Sequence, residues 1–154
     1  MSQAFCHLFE GFSTRQFERL NALMEETAVK KGERIFREGE AAERLYCIKQ
    51  GAVEMLTSID DHIELPITIL RSEGSYFGTS SLVSPYIYSL SARSYEDSIL
   101  TVIQRSRLMK QAERDPEMGF IIMSNLAKTF LDRLKETRQE VKIHFKTLFK
   151  VMQF

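Results

Sequence analysis

The chain has 154 residues, 44% of them apolar, which is enough for one domain with a packed core and an appendage. Its 21 basic residues balance 21 acidic ones, without the basic excess of a dedicated nucleic-acid binder. No apolar run reaches the length of a membrane span, and the N-terminus Met-Ser-Gln-Ala-Phe-Cys-His lacks the basic and apolar regions of a secretory signal, so a cytoplasmic chain is expected.

Cys6 and Cys47 stand alone, without a C-x-x-C pair, which fits a reducing compartment. Phe9 and Phe12 are expected to pack against the domain. Ser13 is a good N-cap, and Phe17, Leu20, Leu23 and Met24 follow at helical spacing, which predicts an amphipathic helix over residues 13 to 27. Lys31-Gly32 reads as a turn.

From Arg34 to Thr101 the pattern changes to short strands. They are Ile35-Phe36, Leu45 to Lys49, Ala52 to Leu56, Leu65 to Leu70, Leu90 to Ser94 and Ile99 to Gln104. Gly39-Glu40, Gly51, Asp60-Asp61 and Gly74 separate them, and strands so spaced predict a closed all-β barrel or jelly roll.

The run from Gly74 to Arg93 opens with a Gly-x-x-Phe-Gly turn. Thr79, Ser80 and Ser81 follow, then Leu82 and Val83, and Pro85 stops the helical turn they begin. Strand, glycine turn, one helical turn, strand is the layout of a cradle for an anion, because the first amides of a helix point outward. An ordinary serine-rich connection between two strands would read the same way.

The last third is helical. Ser106 to Arg114 predicts a short helix, and Asp115-Pro116 is an N-cap with proline at the first helical position. One long helix is predicted over residues 116 to 150. Ala127, Leu134, Val141 and Leu148 repeat at one core position of a heptad; Phe130, Thr137, His144 and Val151 take the other. The first turns, with Phe120, Ile121 and Met123, are expected to pack on the barrel. The later turns reach too far for that and predict a parallel dimer seam through Phe130, Leu134, Thr137, Val141, His144 and Leu148.

Three runs in order resemble the cyclic-nucleotide-binding domain of the bacterial catabolite activator and fumarate-nitrate regulator superfamily. They are Gly39-Glu40 with Leu45-Tyr-Cys-Ile-Lys-Gln-Gly51-Ala-Val53, then Gly74-Ser-Tyr-Phe77-Gly78, then Asp115-Pro116 leading into Asp132-Arg-Leu-Lys-Glu-Thr137. The resemblance covers about Leu8 to Phe145. It implies a mainly β fold with flanking helices: a jelly-roll (double-stranded β-helix) barrel over residues 1–115 and a long C-terminal dimerisation helix over 116–154. It also implies a homodimer whose ligand lies between the phosphate-binding cassette and the long helix, and whose helix moves on binding to switch an attached effector.

The resemblance places a ligand against Phe77, Gly78, Thr79, Ser80, Ser81, Leu82, Tyr88, Ser89, Thr137 and Arg138. The sequence departs from the family pattern at two charged positions. Thr79 stands where the family's ribose-binding Glu would be, and Tyr88 where its phosphate-neutralising Arg would be. Ser89 matches a family Ser, Thr137 matches the base-contacting Thr, and Arg138 replaces the Ser after it. Removing one partner of a buried charge pair costs about 3–5 kcal/mol, roughly two to three decades of affinity. A cyclic nucleotide is therefore a doubtful ligand, and an unidentified small molecule is the expectation. Arg138 lacks acidic neighbours three and four residues away, so it either points into water or overlies Thr79, Ser80 and Ser81 and holds a small anion with them.

Family regulators follow this helix with a helix-turn-helix domain. The chain stops at Phe154, so no nucleic acid is expected to bind this chain alone. The apolar tail Phe145, Leu148, Phe149, Met152 and Phe154 reads as more seam or as a docking surface for a downstream protein. Asp60-Asp61-His62 reads as a solvated turn rather than a metal site, and Cys6-His7 as a chain end rather than a haem ligand pair. No nucleophile with a base and orienter appears, nor a Gly-x-Ser-x-Gly elbow, so the chain is not expected to be an enzyme, and no metal or other cofactor is expected. The leading expectation is a ligand-sensing module that has lost or altered its nucleotide. The effector-binding half of a transcription regulator, and a structural dimerisation module with an empty pocket, remain beside it.

Overall fold

A computed structural model describes residues 6–153; Met1 to Phe5 of the N-terminal run and Phe154 of the apolar tail lie outside the described residues. A 3-10 turn, His7–Phe9, leads into helix α1, Thr14–Asn21. Ser13 and Gln16 form a reciprocal capping box at its start. The predicted helix to residue 27 is too long. It closes with tightened bonds from Leu23 N to Leu20 O and Met24 N to Asn21 O, and the next residues become strand β1, Glu25–Val29. The spacing of Leu20, Leu23 and Met24 suits a helix, but Glu25–Val29 pair residue for residue with residues 98–102, and this tertiary pairing overrides the local helical spacing.

Strands β2 (Arg34–Phe36), β3 (Arg44–Gln50), β4 (Val53–Ser58) and β5 (Glu64–Leu70) follow. Then come the two-residue β6 (Tyr76–Phe77), a 3-10 turn at Thr79–Leu82, β7 (Ser91–Ser94), β8 (Ser98–Gln104), α2 (Arg105–Arg114) and α3 (Pro116–Met152). The strands form two four-stranded antiparallel sheets, ordered β1-β8-β3-β6 and β2-β7-β4-β5. The jelly-roll arrangement is as expected, with β1 and β6 added to the six strands that the sequence predicts. The barrel is not closed: among the described residues no ladder joins the two sheets.

Alternation along β3 explains the layering. Tyr46 and Ile48 face the interior between the sheets, with Phe36, Val53, Phe77, Ala92 and Leu100. Leu45 and Cys47 face the other way, onto a helical layer of Phe9, Leu20, Leu108, Met118 and Ile122. Burial on both faces makes β3 read as a near-continuous apolar run. The β3–β4 turn depends on Gly51, at φ +102°, where a Cβ would sit 2.2 Å from Ser98 Oγ. That hydroxyl accepts from Ala52 N at 3.1 Å. Arg34 on β2 reaches Glu64 on β5 with two bonds, at 2.6 and 3.0 Å, and the pairing holds the Glu64 carboxyl below its ordinary pKa.

Cys6 and Cys47 do not stand alone: they form a disulfide across a sequence separation of 41. Cys47 lies on the helix-facing side of β3, and the N-terminal segment runs back over that side, with His7 N donating to Gly74 O at 3.0 Å. The sulfur of Cys6 is thereby committed, which removes Cys6-His7 as a ligand pair.

Asp115 caps α3 by accepting from Met118 N at 3.4 Å, and it also receives the Gln16 amide at 3.1 Å. The hydrogen bond from Gln16 is the main reason its carboxyl sits below the ordinary pKa. The first turns of α3 bury Met118, Ile122 and Leu126 in the helical layer. Beyond Thr129 every described residue of α3 is exposed.

Candidate functional site

The face of α3 that buries Met118, Ile122 and Leu126 continues at spacings of three and four to Thr129, Arg133, Glu136, Thr137 and Glu140. As the helix leaves the core, this face walls a cavity of about 690 Å³ whose other walls come from the β-sandwich and the cassette after β6. A cavity of that size suits a drug-sized molecule.

Phe77, Gly78, Thr79 and Ser80 of the cassette line it, as do Tyr88 and Ser89. Phe77 is buried and stacks on Tyr46, with ring centroids 5.1 Å apart. Gly78 turns the chain at φ +78°; a Cβ there would lie 3.0 Å from Arg44 O and 3.2 Å from the Tyr46 ring, so only glycine lets the cassette approach β3 this closely. Ser80 and Ser89 fasten the two sides of the cassette together: Ser89 N donates to Ser80 Oγ at 3.3 Å, and the two hydroxyls are 3.5 Å apart.

Ser81 and Leu82 do not line the cavity. Ser81 is fully buried and its hydroxyl donates to Gly78 O at 2.7 Å, holding the turn from inside. Leu82 packs into the helical layer. The helical period turns these two residues inward while Thr79 and Ser80 face the cavity.

Tyr88 occupies the position that resembles the family's phosphate-binding arginine, but its hydroxyl is spent on the protein itself. It donates to Arg44 O at 2.8 Å and accepts from Arg44 N at 3.3 Å. Its ring lies flat on Phe36, and only 5% of its surface is exposed. Burial, with the Tyr46 phenol beside it, pushes the Tyr88 hydroxyl far above the ordinary tyrosine pKa, so it stays neutral.

On α3, Thr137 lines the cavity and Arg138 does not. Successive helical residues diverge by about 100°, which carries Arg138 off the cavity face and into solvent. It does not overlie Thr79, Ser80 and Ser81. The basic group that reaches the cavity is Arg133, and three carboxylates, Asp132, Glu136 and Glu140, line it too. Reading the helix through its heptad seam hid these residues; extending the Met118–Ile122–Leu126 face would have found Arg133, Glu136 and Glu140.

The seam residues Phe130, Leu134, Val141 and Leu148 are exposed by 42%, 46%, 49% and 57%. Thr137 and His144 are exposed with them, and His144 Nδ1 hydrogen-bonds within the helix to Glu140 O at 2.7 Å. Phe130 and Thr137 belong to both stripes, so the apolar stripe borders the cavity directly.

The cassette and α3 are joined beside the cavity. The Tyr76 hydroxyl hydrogen-bonds the Thr129 hydroxyl, and Thr129 also lines the cavity. One turn earlier, Asn125 donates to Leu8 O at 2.8 Å and Glu10 O at 2.9 Å. Elsewhere, Asp60 Oδ1 accepts from His62 N at 2.8 Å and Ile63 N at 2.9 Å, which makes Asp60-Asp61-His62 a capped hairpin turn.

A profile described as the cyclic nucleotide-binding domain matches residues 26–115. The anaerobic regulatory protein of Bacillus subtilis is 25% identical over 134 residues, 87% of this chain and 56% of that protein. The chain thus spans little more than half the length of that relative. Among solved structures, a Geobacter metallireducens protein named for cyclic nucleotide binding is 29% identical with a TM-score of 0.72, covering 82% of this chain and 91% of its own. The catabolite activator protein of Thermus thermophilus is 25% identical with a TM-score of 0.73, covering 89% of this chain and 62% of its own.

Proposed function

The chain belongs to the cyclic nucleotide-binding domain family, and on that premise we propose that it is a ligand-sensing regulatory module with lost or altered nucleotide specificity. The observation that carries this reading is the connection of cavity to helix. Phe77 and Gly78 line the cavity, and the adjoining Tyr76 is bonded to Thr129 on α3. A ligand that shifts the cassette would shift the helix with it. The cavity also takes residues from both sides of that bond, so its occupant has different contacts in different helix positions, which is what a population shift requires.

The module works as a homodimer through Phe130, Leu134, Thr137, Val141, His144 and Leu148, and passes helix movement to a downstream protein or domain. Among the described residues no helix is long and apolar enough to cross a membrane. The cytoplasm is the proposed location by the relation to regulator proteins, although the Cys6–Cys47 disulfide runs against the reducing compartment that two unpaired cysteines would fit. Its work is binding rather than catalysis, in keeping with relatives named as regulators and binding proteins.

A second reading, the effector-binding half of a transcription regulator, is favoured by the relation to the Bacillus subtilis protein and the share of it that is spanned. The test of the sensor reading is a thermal-shift screen with cyclic nucleotides, small carboxylates, neutral aromatics and aromatic amines. A ligand for the native state raises the melting temperature. A rise with any of them supports a sensor; no rise with any of them would leave only a structural dimerisation module.

A further inference from the structure

Resting on the sensor reading, we infer that the cavity selects a cation with an aromatic body, an aryl-alkyl ammonium, rather than an anion. The charged lining consists of Asp132, Glu136 and Glu140 against Arg133 alone. The position that would have supplied a second cation holds neutral Tyr88, whose hydroxyl is occupied by the Arg44 backbone. An anion entering here meets a net negative wall.

The three carboxylates stand at four-residue intervals on one row of α3, where like charges repel. Among the described residues none of the three is in an ion pair. A cation beside them relieves that repulsion, which a neutral or anionic guest does not.

The rest of the lining is apolar and aromatic. Phe36, Phe77 and Phe130 provide ring surface, and Ile67, Leu70 and Val83 provide aliphatic surface. An ammonium beside Phe130 also gains from the ring face. The site therefore asks for a flat apolar body on the sandwich side and an ammonium toward α3.

The test compares three probes with one ring system and different heads: tryptamine, tryptophol and indole-3-acetate. Calorimetry and thermal shift are run on the full chain at low and physiological salt. Tryptamine is expected to bind best, tryptophol next and indole-3-acetate worst, with the tryptamine advantage shrinking as salt rises. Glu136→Gln and Glu140→Gln are exposed helical changes that preserve helix propensity. Each is expected to weaken tryptamine roughly 2- to 5-fold and leave tryptophol unchanged. Indole-3-acetate binding as well as tryptamine, or the double variant binding tryptamine like wild type, overturns the cation assignment while the sensor reading stands. No binding by any of the three probes overturns the cation assignment; the sensor reading falls with it only if the wider thermal-shift screen is also flat.

Discussion

Tyr88 and Phe36 are stacked face to face, with ring centroids 3.7 Å apart and planes within 9° of parallel. The pair brings the loop before β7 down onto β2 and sets the aromatic floor of the cavity. Tyr88→Phe keeps the stack but leaves Arg44 O and Arg44 N without the hydroxyl that serves both. A loss of about 1–2 kcal/mol is expected in denaturant unfolding. The pH dependence follows from burial. The native state holds the Tyr88 hydroxyl above its unfolded value, so the protonated form is favoured on folding. That contribution is complete below a pH of about 10, the unfolded tyrosine value, and is lost as pH rises further. Wild type should lose stability on this alkaline limb more steeply than Tyr88→Phe.

Cyclic AMP and cyclic GMP should bind more weakly than micromolar. Tyr88 supplies no charge to a cyclic phosphate, Thr79 no carboxylate to a ribose, and the α3 wall adds three carboxylates. Calorimetry with a micromolar or tighter dissociation constant for either nucleotide would contradict this. The double change Thr79→Glu with Tyr88→Arg restores the charges but removes the stack on Phe36. Affinity should rise while the melting temperature falls.

The readable parts of this fold are those where local pattern and tertiary packing agree. Gly51 and Asp60-Asp61 bracket β4, and Asp115-Pro116 starts α3, because turn and cap chemistry is local. β1 was hidden by Leu20, Leu23 and Met24, whose helical spacing runs on into it, and its pairing with β8 depends on residues some seventy positions later. β6 has only two residues, too few for any period. The cassette is visible in Gly74-Ser-Tyr-Phe-Gly, yet which of its hydroxyls face the cavity depends on how the 3-10 turn sits against β3. The carboxylates on α3 are not legible as a cavity wall, because nothing in their own sequence says that a cavity lies beneath them.

The Cys6–Cys47 disulfide closes a loop across a separation of 41 residues. In the chain-entropy account such a link stabilises by about 4 kcal/mol. Cys6→Ala with Cys47→Ala should lower the unfolding free energy by about that much, or less where the reduced chain retains structure. Alkylation of the unreduced, denatured chain followed by mass measurement checks the bond itself. Uptake of two iodoacetamide adducts would show that it is not formed.

Leu134 and Val141 lie seven residues apart on the exposed stripe of α3, 46% and 49% exposed. Phe130 and Leu148 extend the stripe in both directions, and none of these side chains packs in either core cluster. A helix that carries such a seam through solvent is expected to pair with its counterpart in a second chain. Leu134→Asp with Val141→Asp would place charges where a partner must desolvate them, at a cost of several kcal/mol per dimer. Because both positions are exposed and far along the helix, the sandwich should remain folded, with unchanged β content by circular dichroism. Light scattering should then give a dimer for wild type and a monomer for the double variant. The change should also reach the cavity, since Phe130 and Thr137 belong to both surfaces. Probe binding should weaken in the monomer even though neither mutated residue lines the cavity. A double variant that remains dimeric would refute the seam.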